Sequence, residues 1–213
     1  MKKQFIYPLL FVMLLIVACD NKKEEDPVIP AATKEEIIEI KTSFGNMYMW
    51  LNKKTPLHRN NFIKLTNDGL FDGTIFHRCV ANFVIQGGDP YTKDTIPGND
   101  GLGGPGYKID AEINTANYTH DYGAVGAARD NNPQKQSNGS QFYIVTQTGG
   151  SHSLDNNYTV FGKIIKGMDV ALVINKQPKV SDVPKTKIVM DVNLLLKTQE
   201  EITNEYGYSD FNW

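Results

Sequence analysis

The chain has 213 residues, of which 40% are hydrophobic, 10% aromatic and 22% charged, so its composition is that of a globular protein with one well-developed core. Its net charge is −2 and its pI is near 6.1, which leaves no excess of positive charge for phosphates and argues against nucleic acid as a partner. The 18 glycines favour a fold rich in loops and turns over a helical bundle.

Residues 1–18 have the features of an export signal. A short basic region precedes a nearly unbroken apolar run at 5–17, which is shorter than the roughly 20 residues that span a bilayer. Ala18 and Cys19 close this run and resemble a bacterial lipobox, in which the cysteine thiol is acylated and becomes the new N-terminus. We therefore expect Cys19 to anchor the protein to a membrane of the bacterial cell envelope, facing the periplasm or the surface. The alternative is an ordinary signal peptide in which Cys19 has no role.

Residues 19–34 are predicted to be a flexible linker between this anchor and a folded domain at 35–196. The linker contains five consecutive charged residues at 22–26 and has too little apolar content to fold. The only other cysteine, Cys79, lies in an apolar stretch and is predicted to be a buried, inert thiol.

The folded domain opens with a predicted hairpin and a predicted helix. The stretch 36–42 alternates polar and apolar residues, and a Gly-Asn turn separates it from a second β run at 47–51. A helix is then expected with Thr55 as its N-cap, Pro56 in its first turn and an end at 67–69. The residues expected to face the core in this part are Ile38, Ile40, Leu57, Phe62 and Leu65.

The rest of the domain is predicted to be mainly β. Short strands are expected at 74–78, 83–86, 122–128, 140–146, 158–162 and 185–195. A second helix is expected over 168–174, with Val170, Val173 and Ile174 on its buried side. Many short strands with two helices predict a closed antiparallel β-barrel of about eight strands capped by two α-helices. Residues 197–213 have no clear period, and we predict no role for them.

Three motifs at fixed spacing resemble the signatures of the cyclophilin family of peptidyl-prolyl cis/trans isomerases. They are FHRCVANFVIQGGD at 76–89, NGSQFYI at 138–144, and VFGK at 160–163 with the Gly-Met pair that follows. The resemblance covers about 35–195 in the right order. It implies a cyclophilin-like barrel and an enzyme that catalyses rotation about Xaa-Pro peptide bonds.

This reaction implies an apolar cleft and a hydrogen-bond donor, and no nucleophile, metal or cofactor, because no covalent bond is made or broken. Amide conjugation gives the prolyl bond a rotation barrier of roughly 18–20 kcal/mol. A donor that stabilises only the twisted amide lowers that barrier. The resemblance implies that Arg78 is the catalytic donor, and arginine suits this role because it stays charged and presents a planar fork. Without the motif, a surface ion pair would be the usual explanation for such an arginine.

The resemblance also implies a set of substrate-binding residues. They are Phe83, Val84, Gln86, Ala128, Arg129, Gln141, Tyr143, Leu154 and Tyr158. The apolar members would wall a proline pocket, the two glutamines would hold the substrate backbone, and Ala128 and Arg129 would contact the backbone before the proline. Gln141 and Tyr143 lie two residues apart, so a strand would turn both to one side. His77 would support the cleft by hydrogen bonding. Taken alone, the apolar members are better explained by core packing.

Four of these positions depart from the common family pattern. Val84 stands where methionine is common, and Tyr143 where phenylalanine is usual. Arg129 stands where many relatives carry asparagine, and Tyr158 replaces a histidine of eukaryotic members.

The sequence therefore predicts a monomeric isomerase that helps exported proteins to fold at the cell envelope. Its partners would be proline-containing polypeptides and the membrane that holds its lipid. The four histidines are scattered without metal-ligand spacing, so neither a metal nor a cofactor is expected. The competing hypothesis is a chaperone module that binds proline-containing peptides with little turnover. The matched Arg78 favours catalysis, because a pure binder would not need a donor aimed at the bond.

Overall fold

The computed structural model describes residues 33–213, so the predicted signal, Cys19 and nearly all of the linker lie outside the described residues. Residues 33–213 form thirteen β-strands, three α-helices and two short 3₁₀ helices. The strands are β1 (Lys34–Thr42), β2 (Gly45–Leu51), β3 (Thr74–Ile75), β4 (Arg78–Val80), β5 (Val84–Gly87), β6 (Lys108–Ile109), β7 (Ala124–Ala127), β8 (Ser137–Asn138), β9 (Phe142–Val145), β10 (Val160–Lys166), β11 (Lys179–Val180), β12 (Val183–Pro184) and β13 (Val189–Thr198). The helices are α1 (Pro56–Asn67), α2 (Met168–Asn175) and α3 (Gln199–Tyr206), and the 3₁₀ helices are Pro90–Lys93 and His152–Leu154.

Nine strands form one curled antiparallel sheet in the order β3-β13-β1-β2-β10-β7-β9-β5-β4. The edge strands β3 and β4 are consecutive in the chain and separated only by Phe76 and His77, so two residues connect the two edges of the curled sheet. Within residues 33–213 no ladder joins these edges, since strands of two and three residues offer few backbone groups to pair. The mainly β prediction is confirmed. The sheet has nine strands where we expected a closed barrel of about eight.

The predicted hairpin is confirmed and supplies one wall of the core. β1 pairs with β2 so that Ile38 lies opposite Met49 and Ile40 opposite Met47, and all four side chains are buried. Residues opposite each other in a ladder point to the same side, which places this group inside the curl of the sheet. The same interior contains the Cys79 thiol, and burial raises its pKa to about 11, as expected for an inert thiol.

The two predicted helices are confirmed, with corrections to the faces they bury. In α1, Phe62 packs into the core but Leu57 is 51% exposed, because the buried face runs through His58, Phe62 and Leu65 at helical spacing and Leu57 lies beside it. In α2, Ala171 and Ile174 are fully buried while Val173 is 45% exposed. Eight residues make only two turns, so the side of α2 that faces the core is set by its contacts with β2, β4 and β5.

The C-terminal residues form a third helix that the sequence analysis did not predict. The Thr198 hydroxyl accepts from the Glu201 amide, and the Glu201 carboxylate accepts from the Thr198 amide, which together make a capping box at the start of α3. Ile202 is fully buried against Ile37 and Trp50 on the outer face of the sheet. The Thr-x-x-Glu pattern was the available signal for this helix. No helix within 33–213 combines the length and the hydropathy that a bilayer crossing requires.

Candidate active site

A small cavity of about 240 Å³ opens beside strands β4, β5 and β9. It is lined by Arg78, Phe83, Val84, Gln86, Ala128, Arg129, Tyr143, Leu154 and Tyr158. Nine of the ten residues that the resemblance implied for catalysis or substrate binding are therefore brought together, and the exception is Gln141. The cavity floor is apolar and buried, with Val84 at 2% and Tyr143 at 4% exposure. A cavity of this volume with an apolar floor suits a small apolar ring.

The site is built on one cross-strand row of residues. Arg78 on β4 lies opposite Gln86 on β5, Gln86 lies opposite Tyr143 on β9, and Tyr143 lies opposite Gly126 on β7. Because opposite residues share a face of the sheet, this register turns the arginine, the glutamine and the aromatic ring to the same side. The order of the strands in the sheet, which the sequence did not predict, makes these residues neighbours.

The guanidinium of Arg78 is exposed at the mouth of the small cavity. Its Nη1 donates to Gln86 Oε1 over 3.4 Å, at the long end of the hydrogen-bond range. Among the salt bridges found within 33–213, none involves Arg78. Arg78 therefore forms no surface ion pair with the described residues, and most of its N–H donors remain available.

Gln141 holds the neighbouring loop. Its Nε2 donates to the carbonyls of Gly101 and Gly103 over 2.9 and 2.8 Å, and its Oε1 accepts from Gln86 Nε2 over 3.0 Å. Both amide hydrogens of Gln141 are used in this way, so neither is free for a substrate backbone. Gln141 lines an adjoining large cavity of about 500 Å³, which Gln86, Ala128 and the glycine-rich loop also border. The expectation that its amide holds the substrate backbone stays a prediction, and in this structure the amide is bonded to the loop instead.

Asp89, the last residue of the first motif, is a site residue for which the sequence predicted no role. Its carboxylate is fully buried and accepts from the backbone amides of Tyr91, Gly101 and Gly103. A Cβ on Gly103 would come within 2.0 Å of Asp89 Oδ1, so only glycine lets the loop approach this closely. Asp89 thus shapes the loop that borders the large cavity.

His77 is buried behind the site, but it does not support the cleft by hydrogen bonding as predicted. Neither of its ring nitrogens has a hydrogen-bond partner among the described residues. The nearby carboxylate of Asp89 accepts from three loop amides and not from the ring. The imidazole instead lies against Gly101, and burial lowers the pKa of His77, which keeps it neutral at pH 7.

A buried polar chain lies behind Tyr143, and the sequence analysis missed it. The Tyr143 hydroxyl lies 2.9 Å from His120 Nε2, and His120 Nδ1 lies 2.7 Å from Asp155 Oδ1. Asp155 Oδ2 lies 3.0 Å from His152 Nδ1 at the surface. Burial lowers the pKa of His120, although its hydrogen bond with Asp155 acts in the opposite direction. His120 and Asp155 are 35 residues apart, and no local pattern joins them.

Known proteins with similar sequences include several peptidyl-prolyl cis-trans isomerases. The family model described as cyclophilin type peptidyl-prolyl cis-trans isomerase/CLD matches residues 37–193. Peptidyl-prolyl cis-trans isomerase B of Bacillus subtilis is 40% identical over 111 residues, which cover 52% of this chain and 69% of the relative. A peptidyl-prolyl cis-trans isomerase of Acinetobacter baylyi is 34% identical over 167 residues, which cover 76% of this chain and 81% of the relative.

Solved structures show the same fold. A cyclophilin type peptidyl-prolyl cis-trans isomerase of Cryptosporidium parvum aligns with a TM-score of 0.67 at 28% identity, covering 76% of this chain and 98% of that chain. A second structure of that protein was determined in the presence of the dipeptide Ala-Pro. Helix α3 and the residues after it lie beyond the residues that the family model matches.

Proposed function

The chain belongs to the cyclophilin-type peptidyl-prolyl cis-trans isomerase family, and we propose that its isomerase reaction takes place in the small cavity, with Arg78 as the catalytic donor. The observation that carries this assignment is the cross-strand row, which places an exposed arginine without a salt bridge next to a buried apolar floor.

Arg78 would lower the barrier by favouring the twisted amide. In the planar cis and trans states the nitrogen lone pair is conjugated with the carbonyl and is a poor acceptor. At the twisted state conjugation is lost, and the lone pair can accept a hydrogen bond from the guanidinium. A bond that forms only in the twisted state accelerates rotation without tightening ground-state binding.

The neighbouring residues would hold the substrate so that this donor meets the prolyl nitrogen. Val84 and Tyr143 form an apolar floor on which the proline ring can pack. Gln86 is held between Arg78 and Gln141, and it donates one amide hydrogen to Gln141. Its second amide hydrogen is free to donate to a substrate carbonyl. Residues fixed by their own hydrogen bonds lose little freedom when the peptide binds.

The assignment is tested by measuring isomerisation of a proline-containing tetrapeptide with the full chain and with Arg78→Ala. We expect kcat/KM to fall by about 10²- to 10³-fold, the range seen when one preorganised donor is removed. Arg78→Lys should recover only part of the loss, because lysine keeps the charge without the planar fork. Arg59→Ala removes an arginine from the remote helix α1 and serves as the matched control.

Two results would contradict the assignment. One is an Arg78→Ala variant that is as active as the Arg59→Ala control. The other is a correctly folded wild-type protein that does not accelerate isomerisation, which would favour the peptide-binding chaperone hypothesis.

We also propose that the enzyme acts on exported proteins at the cell envelope, held there by a lipid on Cys19. The apolar run at 5–17 followed by Ala18 and Cys19 supports export and acylation, and the polar linker 19–34 would give the domain reach from the membrane. Labelling cells with radioactive palmitate tests this proposal by comparing wild type with Cys19→Ala. Label in the wild type alone is expected, and equal labelling of both would contradict it.

A further inference from the structure

We propose that His120 is a positioning residue for the isomerase site: its imidazole holds the hydroxyl of Tyr143 and so fixes the ring that forms the floor of the small cavity. This inference deepens the proposed function and rests on it, since the ring matters to catalysis only if proline binds there. His120 does not line the cavity, so it acts through Tyr143 and has no contact with the substrate.

The hydrogen bond between the two side chains is buried. Nε2 of His120 lies 2.9 Å from the Tyr143 hydroxyl oxygen, and the two ring planes are within 16° of parallel. His120 is fully buried and Tyr143 nearly so. His120 is the hydrogen-bond partner of this hydroxyl among the described residues, so losing the imidazole would leave a buried donor unpaired.

Asp155 sets the direction of this hydrogen bond. Its Oδ1 lies 2.7 Å from His120 Nδ1 and also accepts from the His120 backbone amide over 2.9 Å. A carboxylate at this position holds the ring proton on Nδ1, which leaves Nε2 as an acceptor for the Tyr143 hydroxyl. Asp155 directly follows Leu154, another wall of the small cavity, so the same loop carries a wall residue and the support for the floor.

The opposite side of the Tyr143 ring is fitted to the backbone of Gly126. A Cβ at position 126 would come within 2.3 Å of the ring and 2.4 Å of the hydroxyl, so the phenol occupies the space that a side chain would need. Tyr143 also contacts the edge of Tyr158, with ring centroids 6.0 Å apart. Backbone on one side and a hydrogen bond at the tip therefore hold the ring in one orientation.

Phenylalanine could not use this support. Phenylalanine is the usual residue at position 143 in the family that this sequence resembles. The hydrogen bond to His120 therefore exists only because this chain has tyrosine there. If the ring shifts, the shape of the floor changes and proline binding weakens, although every group that touches the substrate is still present.

The test is a double-mutant cycle between His120→Leu and Tyr143→Phe in the full chain. Its readouts are kcat and KM for a proline tetrapeptide, the dissociation constant of that peptide by calorimetry, and the midpoint of urea unfolding. We expect His120→Leu alone to lower kcat/KM by about three- to tenfold, mainly through KM, which is the size of one lost hydrogen bond. In the Tyr143→Phe background the same substitution should change kcat/KM by less than about twofold. His120→Gln should recover part of the loss, because its amide can still bond the hydroxyl.

The proposal would be overturned if His120→Leu lowered kcat/KM equally in the wild-type and Tyr143→Phe backgrounds. It would also be overturned if His120→Leu lowered the unfolding midpoint and left kcat/KM unchanged. If His120→Leu does not fold, the test uses Tyr143→Phe, which removes the same hydrogen bond and keeps His120. Unchanged kcat and KM in this variant would overturn the proposal, and a raised KM would support it. A folded wild type without isomerase activity would instead refute the proposed function, and the cycle would then be read from the peptide dissociation constants.

Discussion

The guanidinium of Arg129 lies over the ring of Tyr158, with its Cζ 4.7 Å from the ring centroid. The same side chain donates from Nε to the carbonyl of Asn157 over 2.8 Å and from Nη1 to the carbonyl of Asp130 over 2.9 Å. Arg129 and Tyr158 both line the small cavity, so their contact closes one side of its rim. Two positions that depart from the common family pattern are therefore neighbours in space.

Removing the guanidinium should loosen this side of the cavity. We expect Arg129→Ala to lower kcat/KM by about two- to fivefold, mainly through KM, because a cation–π contact of this kind is worth about 0.5–1 kcal/mol. Arg129→Lys should recover little, since an ammonium cannot make the same two backbone bonds while stacking on the ring. Lys135→Ala, which removes a cation bonded to the carbonyl of nearby Asn156, is the control. An unchanged KM in Arg129→Ala would show that the rim does not depend on this contact.

Gln141 should matter for both stability and turnover. Gln141→Leu removes the donor to two loop carbonyls and the acceptor for Gln86, and we expect it to lower the free energy of unfolding by about 1–3 kcal/mol. It should also lower kcat/KM, because Gln86 loses the partner that holds it. Urea unfolding and the tetrapeptide assay measure the two effects. Gln177→Leu, at a half-buried glutamine just after α2 that donates only to the carbonyl of Val173, should change stability by less than about 1 kcal/mol. Similar stabilities of the two variants would contradict the role of Gln141.

The C-terminal helix should contribute to stability without contributing to catalysis. Ile202→Ala is expected to cost about 2–5 kcal/mol, because Ile202 is fully buried against Ile37 and Trp50. Thr198→Ala removes the N-cap and should cost about 1 kcal/mol. Glu200→Ala, at an exposed residue in the first turn, should cost only a few tenths. The tetrapeptide activity of the folded variants should equal that of the wild type. An Ile202→Ala variant as stable as the wild type would show that α3 does not pack against the sheet.

Features that depend on residues close together in the chain are predicted from the sequence, whereas features that depend on contacts between distant residues are not. The hairpin β1–β2 follows from local alternation. Five of the nine cavity residues lie within the quoted family motifs, and the other four follow from the resemblance of the sequence around them. The edges of the sheet are predicted only in part: the single strand expected at 74–78 is divided into β3 and the start of β4, and strands of two and three residues are too short to show a period. The orientation of α2 is likewise missed at Val173, since eight residues leave the buried face to tertiary contacts.

Within the site, the sequence predicts positions better than hydrogen-bond partners. Gln141 was assigned to the correct strand region, but its partners are carbonyls 38 and 40 residues earlier in the chain, which no periodicity reveals. His120 and Asp155 were missed for the same reason. Helix α3 was missed although its capping box is visible in the sequence, because Ile202 is its only buried residue and one apolar residue makes no pattern.

Acidification should destabilise the fold through His77 and His120. Burial lowers the pKa of both imidazoles, so the folded protein protonates them at a lower pH than the unfolded chain, which protonates them below about pH 6.5. The unfolded state then binds more protons, and the free energy of unfolding falls as the pH drops through this range. Asp155 adds to the loss at lower pH: burial acts to raise its pKa, but hydrogen bonds from His120 and His152 outweigh this and hold it below the usual range.

Urea unfolding at pH 8, 7, 6 and 5 measures this dependence. Each buried histidine can contribute a slope of at most about 1.4 kcal/mol per pH unit, so His77→Gln should make the decline below pH 6.5 shallower. His152 acts in the opposite direction, because its hydrogen bond to Asp155 raises its pKa, although its exposure to solvent weakens the effect. His152→Gln should therefore leave the decline equally steep or make it slightly steeper. A free energy of unfolding that stays constant or rises from pH 7 to pH 5 would show that the buried imidazoles are protonated in the folded protein.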